Sequence, residues 1–252
     1  MAALPPSPVL AIIPARLGST RFPRKMLASA TGRPLVQHVR EAALRARAVS
    51  RVIVATDSEE IAAAVRGFGG EAVMTSAAHP NGTSRLAEAA QLLGLPDDAT
   101  VVNVQGDEPE LDASLIDLAV QTHAESGADI ATVASPFGPA QDPADPNLVK
   151  VVLDGRGRAL YFSRSLIPHD RDRSGACGAR PLKHVGLYVY AVGFLRRYVA
   201  LPETPLECAE KLEQLRALEH GHTIAVAVAE SHHVGIDTPA QYDAFVSRHA
   251  GA

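Results

Sequence analysis

Residues 9–25 read VLAIIPARLGSTRFPRK, and this stretch decides the fold that the sequence predicts. Its first five residues form an apolar run of the kind expected for a short buried strand. The loop that follows carries one glycine, two hydroxyl side chains and four cations within ten residues. Ligands of open α/β sheets bind beyond the carboxyl ends of the strands, so this loop is a candidate anion-binding site. A solvated basic loop is the alternative.

The rest of the chain indicates the fold class. Apolar runs at residues 51–55, 71–74, 100–105 and 129–134 alternate with amphipathic segments. This alternation predicts right-handed βαβ crossovers and a mostly parallel sheet. Beyond residue 135, short β runs flank Asp154-Gly155, a hairpin signal, and a single helix is predicted at 205–219. We therefore predict an α/β, Rossmann-like three-layer fold with a mostly parallel central sheet and a smaller antiparallel insertion.

The composition is that of an ordinary globular protein. Hydrophobic residues make up 46% of the chain, charged residues 21%, and the formal net charge is −4. These values exclude a disordered chain and do not indicate a globally basic, nucleic-acid-binding surface. Cys177 and Cys208 are too few for a disulfide framework or a zinc site. With no signal peptide or membrane-length apolar run, we expect a soluble, cytoplasmic protein that binds neither nucleic acid nor a membrane.

Two carboxylates are candidate metal ligands. Asp107 follows the predicted strand at 100–105, and Asp237 precedes the last predicted helix. A carboxylate at the end of a strand can hold a divalent cation. Gly106-Asp107-Glu108-Pro109 is equally typical of a turn, and the position of Asp237 by itself favours a helix start over a metal ligand. The sequence contains no P-loop and no G-x-G-x-x-G, which removes the usual support for P-loop NTPases and dinucleotide-binding proteins.

Further stretches carry a resemblance that spans nearly the whole chain in order. They include Ile12-Ile13-Pro14-Ala15-Arg16, Ser19-Thr20-Arg21, Gly82-Thr83, Arg85-Leu86-Ala87-Glu88, Val102-Asn103-Val104-Gln105-Gly106-Asp107-Glu108-Pro109, Tyr161-Phe162-Ser163-Arg164, His184 with Gly186 and Tyr188, Pro205-Leu206-Glu207 and Asp237-Thr238-Pro239. The chain resembles the sugar cytidylyltransferases, and within them the enzymes that act on 3-deoxy-D-manno-octulosonate (KDO).

The resemblance implies a reaction and a set of roles. CTP and KDO would give CMP-KDO and pyrophosphate, for lipopolysaccharide biosynthesis, with Mg²⁺ as cofactor. It implies that residues 1–135 bind the nucleotide, that the insertion at 136–192 binds the sugar acid and forms a homodimer, and that 193–252 complete one overall domain. CTP would be bound by Arg16, Ser19, Arg21, Lys25, Arg85 and Gln105; KDO by Gln105, Arg164, His184, Tyr188, Glu210 and Gln214; the metal by Asp107 and Asp237; and the catalytic residues would be Arg16, Lys25, Asp107 and Asp237.

Two alternatives stay open at this point. The acceptor could be another acidic molecule, such as 8-amino-KDO, an N-acylneuraminate or a phosphonate. The chain could also be a catalytically silent nucleotide-binding homologue. That second alternative predicts the loss of Lys25, Asp107 or Asp237, and all three are present.

Overall fold

The computed structural model describes residues 8–19, 21–139, 141–172, 178–232 and 234–249, so Thr20 and Cys177 lie outside the described residues. The strands are β1 (Val9–Ala15), β2 (Arg51–Thr56), β3 (Glu71–Met74), β4 (Thr100–Val104), β5 (Ile130–Pro136), β6 (Lys150–Leu153), β7 (Ala159–Ser163), β8 (Leu182–Ala191) and β9 (Ile224–Val228). The helices are α1 (Leu35–Leu44), α2 (Glu59–Gly67), α3 (Gly82–Leu92), α4 (Ala113–Ser126), α5 (Val192–Val199), α6 (Pro205–Glu210), α7 (Gln214–Glu219) and α8 (Pro239–His249). One turn of 3-10 helix occupies Lys25–Leu27.

The chain forms two compact units. The first comprises residues 1–117, 191–199 and 233–252, and the second comprises residues 118–190 and 200–232. The functional division into residues 1–135, 136–192 and 193–252 stays a prediction. No helix in the described part of the chain is long and apolar enough to cross a membrane.

The first unit contains a parallel sheet in the order β3-β2-β1-β4. All residues of β4 and six of the seven residues of β1 are buried, because the strands of such a sheet are covered on both faces. Ile12 of β1 pairs with Asn103 of β4, so the two strands end at the same edge of the sheet. This register brings the basic loop after β1 close to the segment that follows β4.

Side-chain caps fix where the helices of this sheet begin. Ser58 is the N-cap of α2 and accepts a hydrogen bond from the Ile61 backbone N–H at 3.3 Å. Asn81 does the same for α3 through the Ser84 N–H at 2.9 Å. An oxygen at the N-cap satisfies one of the backbone donors that the first helical turn leaves without a partner. The cap of α3 consequently holds the start of that helix at the sheet edge.

The second unit contains the predicted antiparallel insertion. Its strand β5 pairs with β9 in parallel and with β8 in antiparallel orientation. The strands β6 and β7 form a hairpin, and β6 also pairs with β8. In the turn of the hairpin, the Asp154 carboxylate accepts hydrogen bonds from the backbone of Arg156 at 2.8 Å and of Arg158 at 2.9 Å. The α/β fold class, with a mostly parallel sheet and antiparallel pairs, is confirmed.

The single helix predicted at 205–219 is wrong. Two helices, α6 and α7, occupy this segment, and Lys211 between them has a left-handed backbone with φ 53°. The Glu210 carbonyl accepts a hydrogen bond from Arg164 Nε at 2.7 Å. A continuous helix would have used that carbonyl for the backbone N–H four residues later. A contact distant in sequence therefore stabilises the break.

Candidate functional site

A cavity of about 320 Å³ lies in the first unit, beyond the ends of β1 and β4. Pro14 and Ala15 of β1 line one part of it, and Gly106 after β4 lines another. All the side chains predicted from the sequence to bind CTP or the metal also line this cavity: Arg16, Ser19, Arg21, Lys25, Arg85, Gln105, Asp107 and Asp237. The structure thus brings together segments that are more than 200 residues apart in sequence, whereas the roles of these residues stay predictions.

Lys25 is the centre of an ionic cluster in this cavity. Its Nζ lies 3.1 Å from Asp107 Oδ2 and 3.4 Å from Asp237 Oδ1. It also donates a hydrogen bond to the Ile236 carbonyl at 2.6 Å. The whole residue is only 8% exposed, so these oxygens replace the water that an ammonium group normally requires. The two predicted metal ligands therefore converge on the position of one cation.

Asp237 does not cap the helix that follows it. Thr238 accepts the hydrogen bond from the Gln241 N–H, and Gln241 Oε1 accepts hydrogen bonds from the backbone N–H groups of Asp237 and Thr238. This reciprocal arrangement is a capping box. The Asp237 carboxylate is consequently available to the cavity, where it pairs with Arg21 at 2.9 Å as well as with Lys25. The interpretation of Asp237 as the residue that begins the helix is therefore wrong, because the Thr238 side chain is the N-cap.

Asp107 lies in a turn, and it also lines the cavity. The turn and a position at a ligand site are therefore compatible. The turn is closed by a hydrogen bond from the Glu108 N–H to the Gln105 carbonyl at 3.2 Å. Burial raises the pKa of Asp107, Lys25 opposes this shift, and the nearby Glu108 and Asp237 carboxylates add to it. A Cβ atom on the preceding Gly106 would lie 2.9 Å from the Pro14 carbonyl oxygen. Glycine is therefore required for this close approach.

The four cations of the basic loop divide into two groups. Arg16, Arg21 and Lys25 line the cavity. Arg24 has a left-handed backbone with φ 59° and pairs instead with Glu60 of α2. The loop is therefore more than a solvated basic segment, but only part of its charge faces the cavity.

Arg85 of α3 is 3% exposed and is held on two sides. Its Nη2 lies 2.9 Å from Asp57 Oδ2, and its Nη1 donates a hydrogen bond to Thr75 Oγ1 at 2.6 Å. An arginine that is fixed in this way presents its remaining N–H groups in a defined direction. Asp57 and Thr75 thus support Arg85, and neither is among the site residues predicted from the sequence.

His79, Asn81 and Met26 also line the cavity, although they are not among the site residues predicted from the sequence. His79 Nε2 lies 2.5 Å from Glu88 Oε2, and the hydrogen bond from His79 holds the pKa of Glu88 below its usual value. Asn81-Gly82 directly before a helical pattern was the available signal, because such residues begin helices. Nothing local distinguishes His79 from a surface histidine.

In the second unit, Glu210 and Arg164 form one cluster. Glu210 accepts hydrogen bonds from Ser163 Oγ at 2.6 Å and from the Arg164 backbone N–H at 2.9 Å. The Arg164 guanidinium donates to the carbonyls of Glu210, Pro146 and Lys211. These three bonds leave one N–H on each Nη of Arg164 for a further acceptor.

The other sugar-acid candidates of this unit are His184, Tyr188 and Gln214. The rings of His184 and Tyr188 lie 5.2 Å apart, and Phe162 packs against His184 edge-on at 5.0 Å. Gln214 is 4% exposed, and its buried Nε2 has no hydrogen-bond partner among the described residues. A buried amide donor is costly unless an oxygen accepts from it, so this N–H group can donate to a bound water or substrate oxygen. Gln105 belongs to the first unit and lines the cavity there.

Together, a parallel α/β sheet and a cation-lined cavity at its carboxyl edge are typical of a nucleotide-binding protein. The chain belongs to the cytidylyltransferase family, whose sequence profile matches residues 10–224. It is 50% identical over 240 residues to the 3-deoxy-manno-octulosonate cytidylyltransferase of Syntrophobacter fumaroxidans, covering 94% of this chain and 95% of that protein. The protein of the same name from Geobacter sulfurreducens is also 50% identical, over 92% of this chain and 95% of that protein.

Solved structures agree with the fold. The structure of CMP:2-keto-3-deoxy-manno-octonic acid synthetase complexed with CTP superposes with a TM-score of 0.90 at 40% identity, covering 97% of this chain and 99% of that chain. A cytidylyltransferase from Leptospira borgpetersenii superposes with a TM-score of 0.61 at 17% identity, over 98% of this chain and 88% of that chain. At that identity the second likeness concerns the fold alone.

Proposed function

We propose that this enzyme transfers the CMP group of CTP to the anomeric hydroxyl of KDO and releases pyrophosphate. The observation that carries the proposal is the single cavity lined by Arg16, Arg21, Lys25, Asp107 and Asp237 in a chain that is half identical to KDO cytidylyltransferases. A cytoplasmic location and a part in lipopolysaccharide biosynthesis belong to the same proposal.

The cationic wall of the cavity suits the triphosphate of CTP. The anomeric hydroxyl attacks the α-phosphorus in line while pyrophosphate leaves, and this step needs orientation and charge neutralisation more than a dedicated base. Arg16, Arg21 and Lys25 would neutralise phosphate oxygens, with Arg85 held nearby by Asp57 and Thr75. Ser19 and Gln105 supply uncharged hydrogen-bonding groups to the same cavity.

We also propose a Mg²⁺ ion held by Asp107 and Asp237. The donor set fits, because two carboxylates, which are preferred ligands of this hard cation, already converge on one ammonium group. No group of three or more His, Cys, Asp or Glu side chains that could hold a metal occurs among the described residues, so substrate or water oxygens would complete the coordination. When bound, the ion supplies Lewis-acid charge at the phosphoryl oxygens.

For the sugar acid, we propose recognition by Arg164, His184, Tyr188, Glu210 and Gln214, together with Gln105. The two remaining N–H groups of Arg164 suit the carboxylate of KDO. The buried, unpartnered Nε2 of Gln214 suits an acceptor oxygen of the same substrate.

The acceptor is tested by measuring pyrophosphate release with CTP fixed and a panel of acceptors varied. We expect the highest kcat/KM with KDO among KDO, 8-amino-KDO, an N-acylneuraminate and a phosphonate. Omission of the acceptor is the control for CTP hydrolysis. Faster turnover with another acceptor would refute KDO as the preferred substrate, and no turnover with any of them would favour a silent homologue.

A homodimer formed through the insertion is the proposed assembly. Among the described residues β7 pairs only with β6, and Leu160 on β7 is 61% exposed. An apolar edge strand of this kind is normally covered. We expect sedimentation at micromolar concentration to show a dimer, and Leu160→Glu to shift it toward monomer. Leu92→Glu, at a 56% exposed leucine on α3, is the matched control. A monomeric parent protein would contradict the proposal.

A further inference from the structure

The pairing of β5 with β8 is interrupted at one place in the second unit. Thr132 pairs with Tyr188, but the next residue of β5, Val133, pairs with Val185. Gly186 and Leu187 therefore form a bulge that has no Cα partner on β5. Bulges re-aim side chains and are frequent beside active sites. The side chain that lies at this bulge is that of Thr132, which is completely buried.

The Thr132 hydroxyl connects the bulge to His184. Its Oγ1 lies 2.6 Å from the Leu187 carbonyl oxygen and 2.9 Å from His184 Nε2. A hydroxyl has a single hydrogen to donate. At 2.6 Å two oxygens without a hydrogen between them would repel each other, so that hydrogen points at the Leu187 carbonyl. Thr132 therefore accepts at His184, and His184 Nε2 must carry a proton.

The surroundings keep the His184 ring neutral. Phe162 and Tyr188 pack against the ring, and desolvation lowers its pKa to about 3. A neutral imidazole that is protonated on Nε2 carries a lone pair on Nδ1. Nδ1 makes no hydrogen bond within the described part of the chain. Such a nitrogen accepts a hydrogen bond from a hydroxyl group and does not attract a carboxylate.

We propose that Thr132 is a positioning residue that locks His184 as the Nε2–H tautomer, so that Nδ1 accepts a hydrogen bond from a hydroxyl group of the sugar acid. The inference rests on the proposed function, because it deepens the role proposed there for His184. It divides substrate recognition by chemistry: Arg164 binds the carboxylate, whereas the Thr132–His184 pair recognises the polyol.

The test compares Thr132→Val, which keeps the shape but removes the hydroxyl, with Thr132→Ser, which keeps the hydroxyl. Two-bond ¹H–¹⁵N spectra report the tautomer of His184 directly and do not depend on activity. We expect the parent protein and Thr132→Ser to show the Nε2–H tautomer. The valine variant should show a mixture of tautomers and a KM for KDO raised about tenfold, with little change in kcat or in the KM for CTP.

Thr122→Val is the matched control, since the Thr122 hydroxyl also donates to a backbone carbonyl but lies on α4. An Nδ1–H tautomer in the parent protein overturns the inference, even if the valine variant does not fold. An equal rise in KM for both substrates, or no rescue by serine, overturns it as well. If KDO proves not to be the acceptor, the spectra still decide the tautomer, so failure of the proposed function is distinguishable from failure of this inference.

Discussion

The Lys25→Ala variant is expected to lose at least about 100-fold in kcat/KM. Lys25 is a buried cation of the proposed triphosphate site, and the loss of one group that stabilises developing charge typically costs about 3 kcal/mol, or a factor of about 100. The measurement is initial-rate pyrophosphate release over a range of CTP concentrations at saturating KDO, which gives kcat/KM for CTP. Activity close to that of the parent enzyme would show that Lys25 does not contact the phosphates.

The geometry adds a second consequence for this variant. Without substrate, the Lys25 ammonium neutralises Asp107 and Asp237 and binds the Ile236 carbonyl. Its removal leaves Asp237 with Arg21 alone and takes from Asp107 the ammonium group that it pairs with, so we expect a lower free energy of unfolding as well. Urea unfolding measures this loss separately from activity, and added Mg²⁺ should reduce it.

Arg24→Ala is the matched control for Lys25→Ala. Arg24 is the adjacent residue and carries the same charge, but it pairs with the exposed Glu60 rather than lining the cavity. An exposed pair of this kind contributes at most about 1 kcal/mol. We expect the Arg24 variant to keep nearly full activity. Equal losses in the two variants would mean that net charge, rather than position, matters in the loop.

The parallel sheet and the basic loop were predictable because their signals are local. The apolar run at residues 9–13 predicts the strand, and the cations that follow it predict an anion-binding loop at its end. Strand alternation then fixes which ends share an edge, so Asp107 falls beside the loop. The convergence of Asp107 and Asp237 on Lys25 is not a local signal. It depends on a hydrogen bond from the Ile236 backbone N–H to the Asp107 carbonyl, which joins segments distant in sequence.

What could not be predicted depends on contacts that are distant in sequence. The break at Lys211 is stabilised by Arg164, which lies 47 residues earlier. The sequence pattern of residues 205–219 is that of one continuous helix and does not reveal the break. Arg24 and Lys25 are neighbours of equal charge, but Arg24, whose backbone is left-handed, pairs with Glu60, whereas Lys25 lines the cavity. The role of Thr132 depends on a bulge in the partner strand, which a period-two pattern does not reveal.

A second large loss of activity is expected when Asp107 or Asp237 is replaced. We expect Asp107→Asn and Asp237→Asn each to lower activity about 100-fold, because asparagine keeps the volume but removes an anionic oxygen ligand. Higher Mg²⁺ concentrations should restore part of the activity of each single variant. Asp243→Asn, at an exposed aspartate on α8, is the control and should keep full activity.

The double variant tests whether the carboxylates act on one ion. If Asp107 and Asp237 hold the same Mg²⁺, the first substitution already weakens its binding, and the second has little left to remove. The combined loss should then be far smaller than the product of the single losses. Titration with Mn²⁺, followed by its electron paramagnetic resonance signal, should show weaker binding in both single variants without reference to turnover. Two fully multiplicative losses, or unchanged Mn²⁺ binding, would mean that the Asp107 and Asp237 carboxylates serve Lys25 and Arg21 alone, as partners that orient the cations toward the triphosphate.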